Sequence, residues 1–269
     1  MPPSYPSPPS ITHRPALDRL RREMGAGGAR HGVLAMDKAG VDACLPGGGL
    51  PLGALHEVEP GHEVEPGGPG SVTGNGAGAQ AQQGAVAAGF IARLLGRLPD
   101  PRPCLWVAVR CDLYPPGLLA FGLDPARLVL ARARDDAAVL AAMEAGLRGG
   151  GFAAVVGEAG RLGRLAARRL QLACLRHAST GFVLRRWPYG TPAHLPAEAP
   201  AAVTRWRIAP AASGGPWAPP RWRLELLHAR GGTPGEWIVE AGESDASGIV
   251  RVVAELADPA PASQRRRLG

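Results

Sequence analysis

Four short apolar runs recur through the middle of the chain, separated by helical patterns and turns. They are Cys104-Leu-Trp-Val-Ala-Val109, Leu128-Val-Leu-Ala131, Phe152-Ala-Ala-Val-Val156 and Gly181-Phe-Val-Leu-Arg185. A strand buried on both faces has no polar side, so it reads as a continuous apolar run, the mark of a parallel sheet covered by helices. The segments around these runs carry a different period. Gln83 to Leu98 places Val86, Phe90, Ile91, Leu94 and Leu95 on one stripe, and Pro99 stops it. Asp136 to Arg148 turns Val139, Leu140, Met143 and Leu147 inward, Gly160 to Ala178 reads as a long helix, and Pro115 to Phe121 as a short one. Strands and helices alternating at this spacing predict an α/β fold with a mostly parallel sheet, flanked by helices and joined by right-handed crossovers.

Downstream the period changes to two. Thr204-Arg-Trp-Arg-Ile208, Arg221-Trp-Arg-Leu-Glu-Leu-Leu227 and Glu236-Trp-Ile-Val-Glu240 alternate in residue type, and Gly231-Gly-Thr-Pro-Gly235 forms a turn between the last two. These segments predict antiparallel strands at one edge of the sheet. The core is expected over residues 33–242, with Ala54 to Val58 as a short strand near its start. Residues 1–32 read as a flexible N-terminus in which Ala16 to Met24 forms a short helix. Residues 243–269 read as a C-terminal tail ending in Arg265, Arg266 and Arg267; within it Gly248 to Ala257 is ambiguous.

Composition limits the classes of function. With 45% hydrophobic residues the chain can bury a sizeable core. No run approaches the roughly 18 apolar residues of a membrane span. The N-terminus lacks the charged start and apolar stretch of a secretory signal, so a cytoplasmic location is expected. Cys44, Cys104, Cys111 and Cys174 form no Cys-x-x-Cys pair, which speaks against zinc and for buried free thiols. The net charge is +7, and the positive side is nearly all arginine, Lys38 being the sole lysine. Arginine suits phosphate recognition. Equally, abundant Ala, Gly, Pro and Arg with little Lys is what a GC-rich genome writes everywhere.

Two local features bear on chemistry. His56-Glu-Val-Glu-Pro-Gly61 is repeated at once as His62-Glu-Val-Glu-Pro-Gly67. The Pro-Gly steps prevent helical presentation of the His and Glu side chains, so the repeat reads as a duplication lengthening a surface loop, without metal. A glycine-rich stretch, Glu65-Pro-Gly-Gly-Pro-Gly-Ser-Val-Thr-Gly-Asn-Gly-Ala-Gly78, then precedes the first helix. Nucleotide phosphates at such a place need Gly-Lys-Ser/Thr, because the ammonium neutralises the β- and γ-phosphates and the hydroxyl holds Mg²⁺. That triplet is absent, so neither a nucleotide cofactor nor hydrolysis is expected. Backbone N–H groups of 67–78 could still attract an anion.

The segment Leu45 to Val58 resembles the start of a RecA-type core. Other segments sharpen the likeness: Asp112 to Arg127, Met143 to Arg148, Val155 to Glu158, Arg168 to Ala173 and Arg221 to Glu240. Together they resemble the alphaproteobacterial ImuA family, RecA/SulA-like proteins of mutagenesis cassettes. The resemblance covers most of residues 33–240. It implies a degenerate RecA-like core acting beside a polymerase-like ImuB protein and an error-prone replicative-type polymerase in damage-induced translesion synthesis. A SulA-like division inhibitor acting by protein binding is the alternative. The RecA catalytic stations do not carry over. No lysine stands in the phosphate loop, Asp112 stands near the place of the water-activating glutamate, and Glu158 ends the strand that would carry the metal-binding aspartate.

Positions of the RecA DNA-contacting loops fall at Gly157–Gly163 and Trp187–Val203. Arg161, Arg164, Arg168, Arg169, Arg185 and Arg186 are therefore candidates for single-stranded DNA contact, with Trp187 and Tyr189 as stacking surfaces. A solvated helix face is the competing reading. Candidates for partner contact are Trp222 and Trp237, on edge strands, together with Arg265, Arg266 and Arg267. Burial of both tryptophans in the core is the competing reading.

Overall fold

The computed structural model describes residues 31–37, 40–61, 77–110, 112–186, 202–213, 215, 217–241 and 249–256, with the side chains of the first long helix described from residue 84. Eleven strands, three α-helices and three short 3-10 helices form the described part, and the short helix expected at Pro115–Phe121 is one of the 3-10 helices. In chain order the strands and α-helices are β1 (Val33–Leu34), β2 (Leu50–Pro51), β3 (Leu55–Pro60), α1 (Ala77–Gly96), β4 (Cys104–Ala108), β5 (Leu128–Arg132), α2 (Asp136–Gly149), β6 (Ala154–Glu158), α3 (Arg164–His177), β7 (Thr180–Leu184), β8 (Thr204–Ala211), β9 (Arg221–Ala229), β10 (Gly235–Glu240) and β11 (Arg251–Leu256). Strands β1 and β2 make a small antiparallel pair, and the other nine form one sheet in the order β11-β10-β9-β8-β3-β7-β6-β4-β5.

All four apolar runs became strands, but Leu128–Ala131 lies in the edge strand β5, where Val129 and Leu130 are exposed because only one side of the strand has a neighbour. Every residue of β4, β6 and β7 is buried, and β3, β4, β5, β6 and β7 pair in parallel. The chain passes from β3 across β7 and β6 to reach β4, then returns through β6 and β7. Right-handed crossovers running in opposite directions place their helices on opposite faces. Helix α1 accordingly covers one face, with Phe90, Ile91, Leu94 and Leu95 in a core shared with Trp106, Trp206 and Trp222. The ring of Phe90 lies 5.8 Å from that of Trp206 and 6.5 Å from that of Trp222. On the other face α2 and α3 bury Val139, Met143, Leu147, Leu170 and Cys174 against Leu55, Leu105, Val107, Val155 and Val183.

Local signals set the helix ends. The Asp135 side chain accepts from Ala138 N at 2.8 Å, and Gly150, at φ 66°, ends α2 in the left-handed region that glycine enters without steric cost. Helix α3 begins at Arg164, later than the expected Gly160. The Gly160 N–H is instead taken by the Asp136 carboxylate at 2.8 Å, which holds the preceding loop out of the helix.

Three expectations change with the tertiary structure. Strand β8 is antiparallel to β9 but parallel to β3, so it lies inside the sheet and joins its two halves. The strand expected at Ala54–Val58 runs further than expected: β3 extends through Glu59 and Pro60, so only Gly61 of the first repeat copy lies beyond it and that copy is sheet where a surface loop was expected to begin, while the second copy lies outside the described residues. The sheet also runs past residue 242, since β11 pairs antiparallel with β10. The expected helix at Ala16–Met24, Lys38, Cys111 and the arginines 265–267 lie outside the described residues, as does the glycine-rich stretch apart from its last two residues, which begin α1. Cys104 and Cys174 are buried free thiols, and Cys44 is half-buried. Among the described residues no helix is long and apolar enough to cross a membrane.

Candidate functional site at the carboxyl ends of the parallel strands

In open α/β sheets ligands are met at the carboxyl ends of the strands, where connections diverge to either side. Strand β3 is such a place, because its crossover leads toward β4 while the one after β7 leads back past it to β8. Asp112, in the connection after β4, Glu158, at the end of β6, and Arg186, two residues past β7, meet on the α1 side. Glu158 shares its sheet face with Ala154 and Val156, so it points inward, and it is 6% exposed. Its Oε1 accepts from Trp106 Nε1 at 2.8 Å and its Oε2 from Arg186 Nη1 at 2.8 Å. Arg186 also donates to both Asp112 oxygens, from Nη1 and Nη2, at 2.6 Å each. Its Nε lies over α1 at Gly84, 3.6 Å from where a β-carbon would stand.

This arginine unites Asp112 and Glu158, two acidic positions far apart in the chain. Burial alone disfavours its charge, but the hydrogen bonds it donates to Asp112 and the attraction of Glu158 more than offset that and push its pKa up. For Asp112, partial burial acts upward, and the Arg186 hydrogen bonds and charge outweigh it to hold the carboxyl below the usual range. The guanidinium engages both Asp112 oxygens and one Glu158 oxygen, so a divalent cation between these strands would meet a positive charge already in place.

On the opposite face a second ionic row crosses the sheet. Arg185 donates to Gly160 O at 3.0 Å and to Glu57 at 3.3 Å. Arg205 and Arg207 each pair with Glu59 at 2.7 Å, and Arg207 reaches Glu225 at 3.1 Å. Arg223 continues to Glu225 at 3.5 Å and Glu236 at 2.5 Å. Burial raises the Glu57 pKa despite Arg205 and Arg185. The register of β3, β8 and β9 sets Glu59, Arg207 and Glu225 side by side as cross-strand pairs of opposite charge, which are favourable, whereas Glu225 and Glu236 face each other with like charge and Arg223 reaches both.

The six candidate DNA-contacting arginines do not form one surface. Arg185 and Arg186 leave β7 on opposite faces of the sheet, and both are engaged by carboxylates. Arg161, Arg164, Arg168 and Arg169 are exposed on α3 or just before it, and Arg169 pairs with Glu144 at 2.7 Å. Trp187 and Tyr189 lie outside the described residues. Trp222 and Trp237, candidates for a partner surface, are 3% and 0% exposed, so their side chains pack inward with Phe90 and Val239. Sequence reasoning passed over Trp217, which is 97% exposed in the β8–β9 connection; its setting, Pro216-Trp217-Ala218-Pro219-Pro220, was the available signal. It also missed the pairing of Arg186 with Asp112 and Glu158.

No protein-family model matches the chain. It is 42% identical over 250 residues to Protein ImuA of Caulobacter vibrioides (strain NA1000 / CB15N), a match covering 88% of this chain and 96% of that protein. Protein ImuA of Caulobacter vibrioides strain ATCC 19089 / CIP 103742 / CB 15 matches with the same figures. The crystal structure of SulA from Pseudomonas aeruginosa aligns at 22% identity and a TM-score of 0.36 over 49% of this chain and 96% of that one, a likeness too low to carry an argument. With 42% identity across 88% of its length to curated ImuA proteins, the chain belongs to the ImuA family.

Proposed function

We propose that this protein is a non-hydrolysing, RecA-like adaptor in the cytoplasm. In this reading it supports damage-induced, error-prone translesion DNA synthesis together with a polymerase-like ImuB protein and an error-prone replicative-type polymerase. The observation that carries the first half is the engagement of Asp112 and Glu158 by Arg186. A RecA-like site uses its acidic groups to place water and metal around phosphates. Here the chain's own guanidinium already pairs with both, and no Gly-Lys-Ser/Thr is present to hold phosphate. A core without a nucleotide cycle retains a shaped surface, and a place in a polymerase assembly uses that surface. Membership of the ImuA family supports the second half.

Equilibrium dialysis of ATP against the full chain tests the first half. The expected result is no retention tighter than about millimolar, only some 4 kcal/mol of binding free energy; micromolar retention overturns it. Affinity purification from cells after DNA damage tests the second half. Recovery of a polymerase-like component, without added nucleotide, is expected. Recovery of the cell-division GTPase in its place would replace this reading with that of a division inhibitor.

A further inference from the structure

Helix α3 buries Ala167, Leu170, Ala173 and Cys174. Its opposite face is not uniformly polar. Leu165 and Leu172 stand there 74% and 47% exposed. They are seven residues apart, two turns and about 10 Å along the axis, so they line up on one stripe. Arg164, Arg168, Arg169 and Arg176 surround that stripe, all exposed. No Asp or Glu occurs anywhere from Arg161 to His177. Glu144 of α2 reaches the near margin at Arg169. Among the described residues no carboxylate pairs with Arg164, Arg168 or Arg176.

The geometry points to a docking face for an acidic amphipathic helix of a partner protein. Two large apolar side chains of that helix, seven residues apart, would seat beside Leu165 and Leu172, with carboxylates on the flanking arginines. Helix recognition in this mode relies on anchors at i and i+7, and arginine is a frequent interface anchor. Charge decides the occupant. The chain's own Ala16–Met24 has apolar Leu17, Leu20 and Met24, but it sets Arg19, Arg21 and Arg22 against Asp18 and Glu23, the wrong sign for an arginine rim. A nucleic acid would use the arginines and leave the two leucines in water, whereas an acidic amphipathic helix uses both. The inference rests on the adaptor reading for the existence of a partner and adds the face that meets it.

The probe is a fluorescein-labelled synthetic helix of about 18 residues, five turns, with two leucines seven apart and glutamates beside them. Anisotropy with the full chain should show micromolar binding that weakens several-fold as salt rises from about 50 to 300 mM, because the rim is electrostatic. The double variant Leu165→Gln/Leu172→Gln should lose at least about tenfold in affinity with an unchanged unfolding midpoint, since both positions are exposed and glutamine is a good helix former that leaves the charge of the rim unaltered. Arg168→Glu should weaken binding alone. No binding of the probe, or equal binding by the leucine variant, overturns the inference. So does a single-stranded oligonucleotide that binds wild type and leucine variant alike and displaces the probe. Co-purification of a polymerase-like component separates this from the adaptor reading. If the leucine variant loses the probe but keeps that component, the adaptor stands and α3 is not its docking face. If wild type captures no polymerase component yet binds the probe, the adaptor reading fails and the face remains.

Discussion

Arg186 grips Asp112 through two parallel N–H···O bonds of 2.6 Å, an end-on fork in which both carboxylate oxygens are used. The same guanidinium reaches Glu158, a carboxylate with little access to water. Arg186→Met should therefore strand Glu158 with Trp106 as its remaining hydrogen-bond donor and destabilise the fold by about 2 kcal/mol. Fully buried pairs cost more when broken, but Arg186 and Asp112 are part-exposed. Arg186→Lys should recover only a fraction, because an ammonium cannot form the fork. Adding Glu158→Gln to Arg186→Met should restore stability by removing the stranded charge. Urea midpoints of the four proteins check this; equal midpoints would mean that the pairs contribute nothing.

His56 lies in the central strand within a directed hydrogen-bond chain. Trp206 Nε1 donates to Thr204 Oγ1 at 2.8 Å, the threonine hydroxyl then donates to His56 Nδ1 at 2.7 Å, and His56 Nε2–H donates to Pro51 O at 2.9 Å. This order requires the neutral ring. Burial pushes the His56 pKa down from 6.5 to about 4, against the Pro51 carbonyl, which acts upward. The unfolded chain thus binds a proton between those values while the folded chain does not. Stability from this group is intact above pH 6.5 and falls as the pH drops toward 4, by up to about 3 kcal/mol. His56→Gln should show a flatter stability profile over that range by chemical denaturation. Parallel profiles for variant and wild type would assign the pH dependence to other groups.

Two helix and strand glycines should respond differently to alanine. At Gly96 an added β-carbon meets the Gly122 backbone carbonyl at the end of α1. At Gly157 it meets the Met143 side chain, 2.6 Å from Cγ, and methionine can move aside. Gly96→Ala should cost about 2–3 kcal/mol despite alanine's better helix propensity, and Gly157→Ala about half as much. Thermal unfolding of the pair checks the order; a larger effect at Gly157 would contradict it.

Removing one repeat unit tests the duplication. Because His56–Gly61 and His62–Gly67 are identical, deletion of either leaves the same sequence, and the remaining copy can supply β3. The shortened chain should unfold within about 5 °C of the parent, since changing the length of a connection costs little entropy. A larger drop would show that both copies are structural.

What the chain's own pattern determined is the layered α/β plan. Buried parallel strands have no wet side, so Cys104–Val109, Phe152–Val156 and Gly181–Arg185 announced themselves as apolar runs, and the stripes of α1 and α2 followed from helical period. Long-range pairing was not legible. Nothing local distinguishes a β8 that lies parallel to β3, some 148 residues earlier, from one that belongs only to an antiparallel edge. The same holds for Glu59 and Pro60 of the first HEVEPG copy, which continue the expected strand because β8 pairs with them. Residue type was equally silent about fate. Trp222 and Trp237 are core while Trp217 is exposed, because face is set by strand register and Trp217 lies between strands. Arg164 and Arg186 look alike in the chain. Arg186 is an internal ion-pair partner because the fold brings Asp112 and Glu158, 74 and 28 residues away, to its end of the sheet, and Arg164 remains on the surface because α3 turns it from the core. Hydrophobic periodicity is local and survives in one dimension, whereas the partner of a charge is decided only when crossovers bring distant strand ends together.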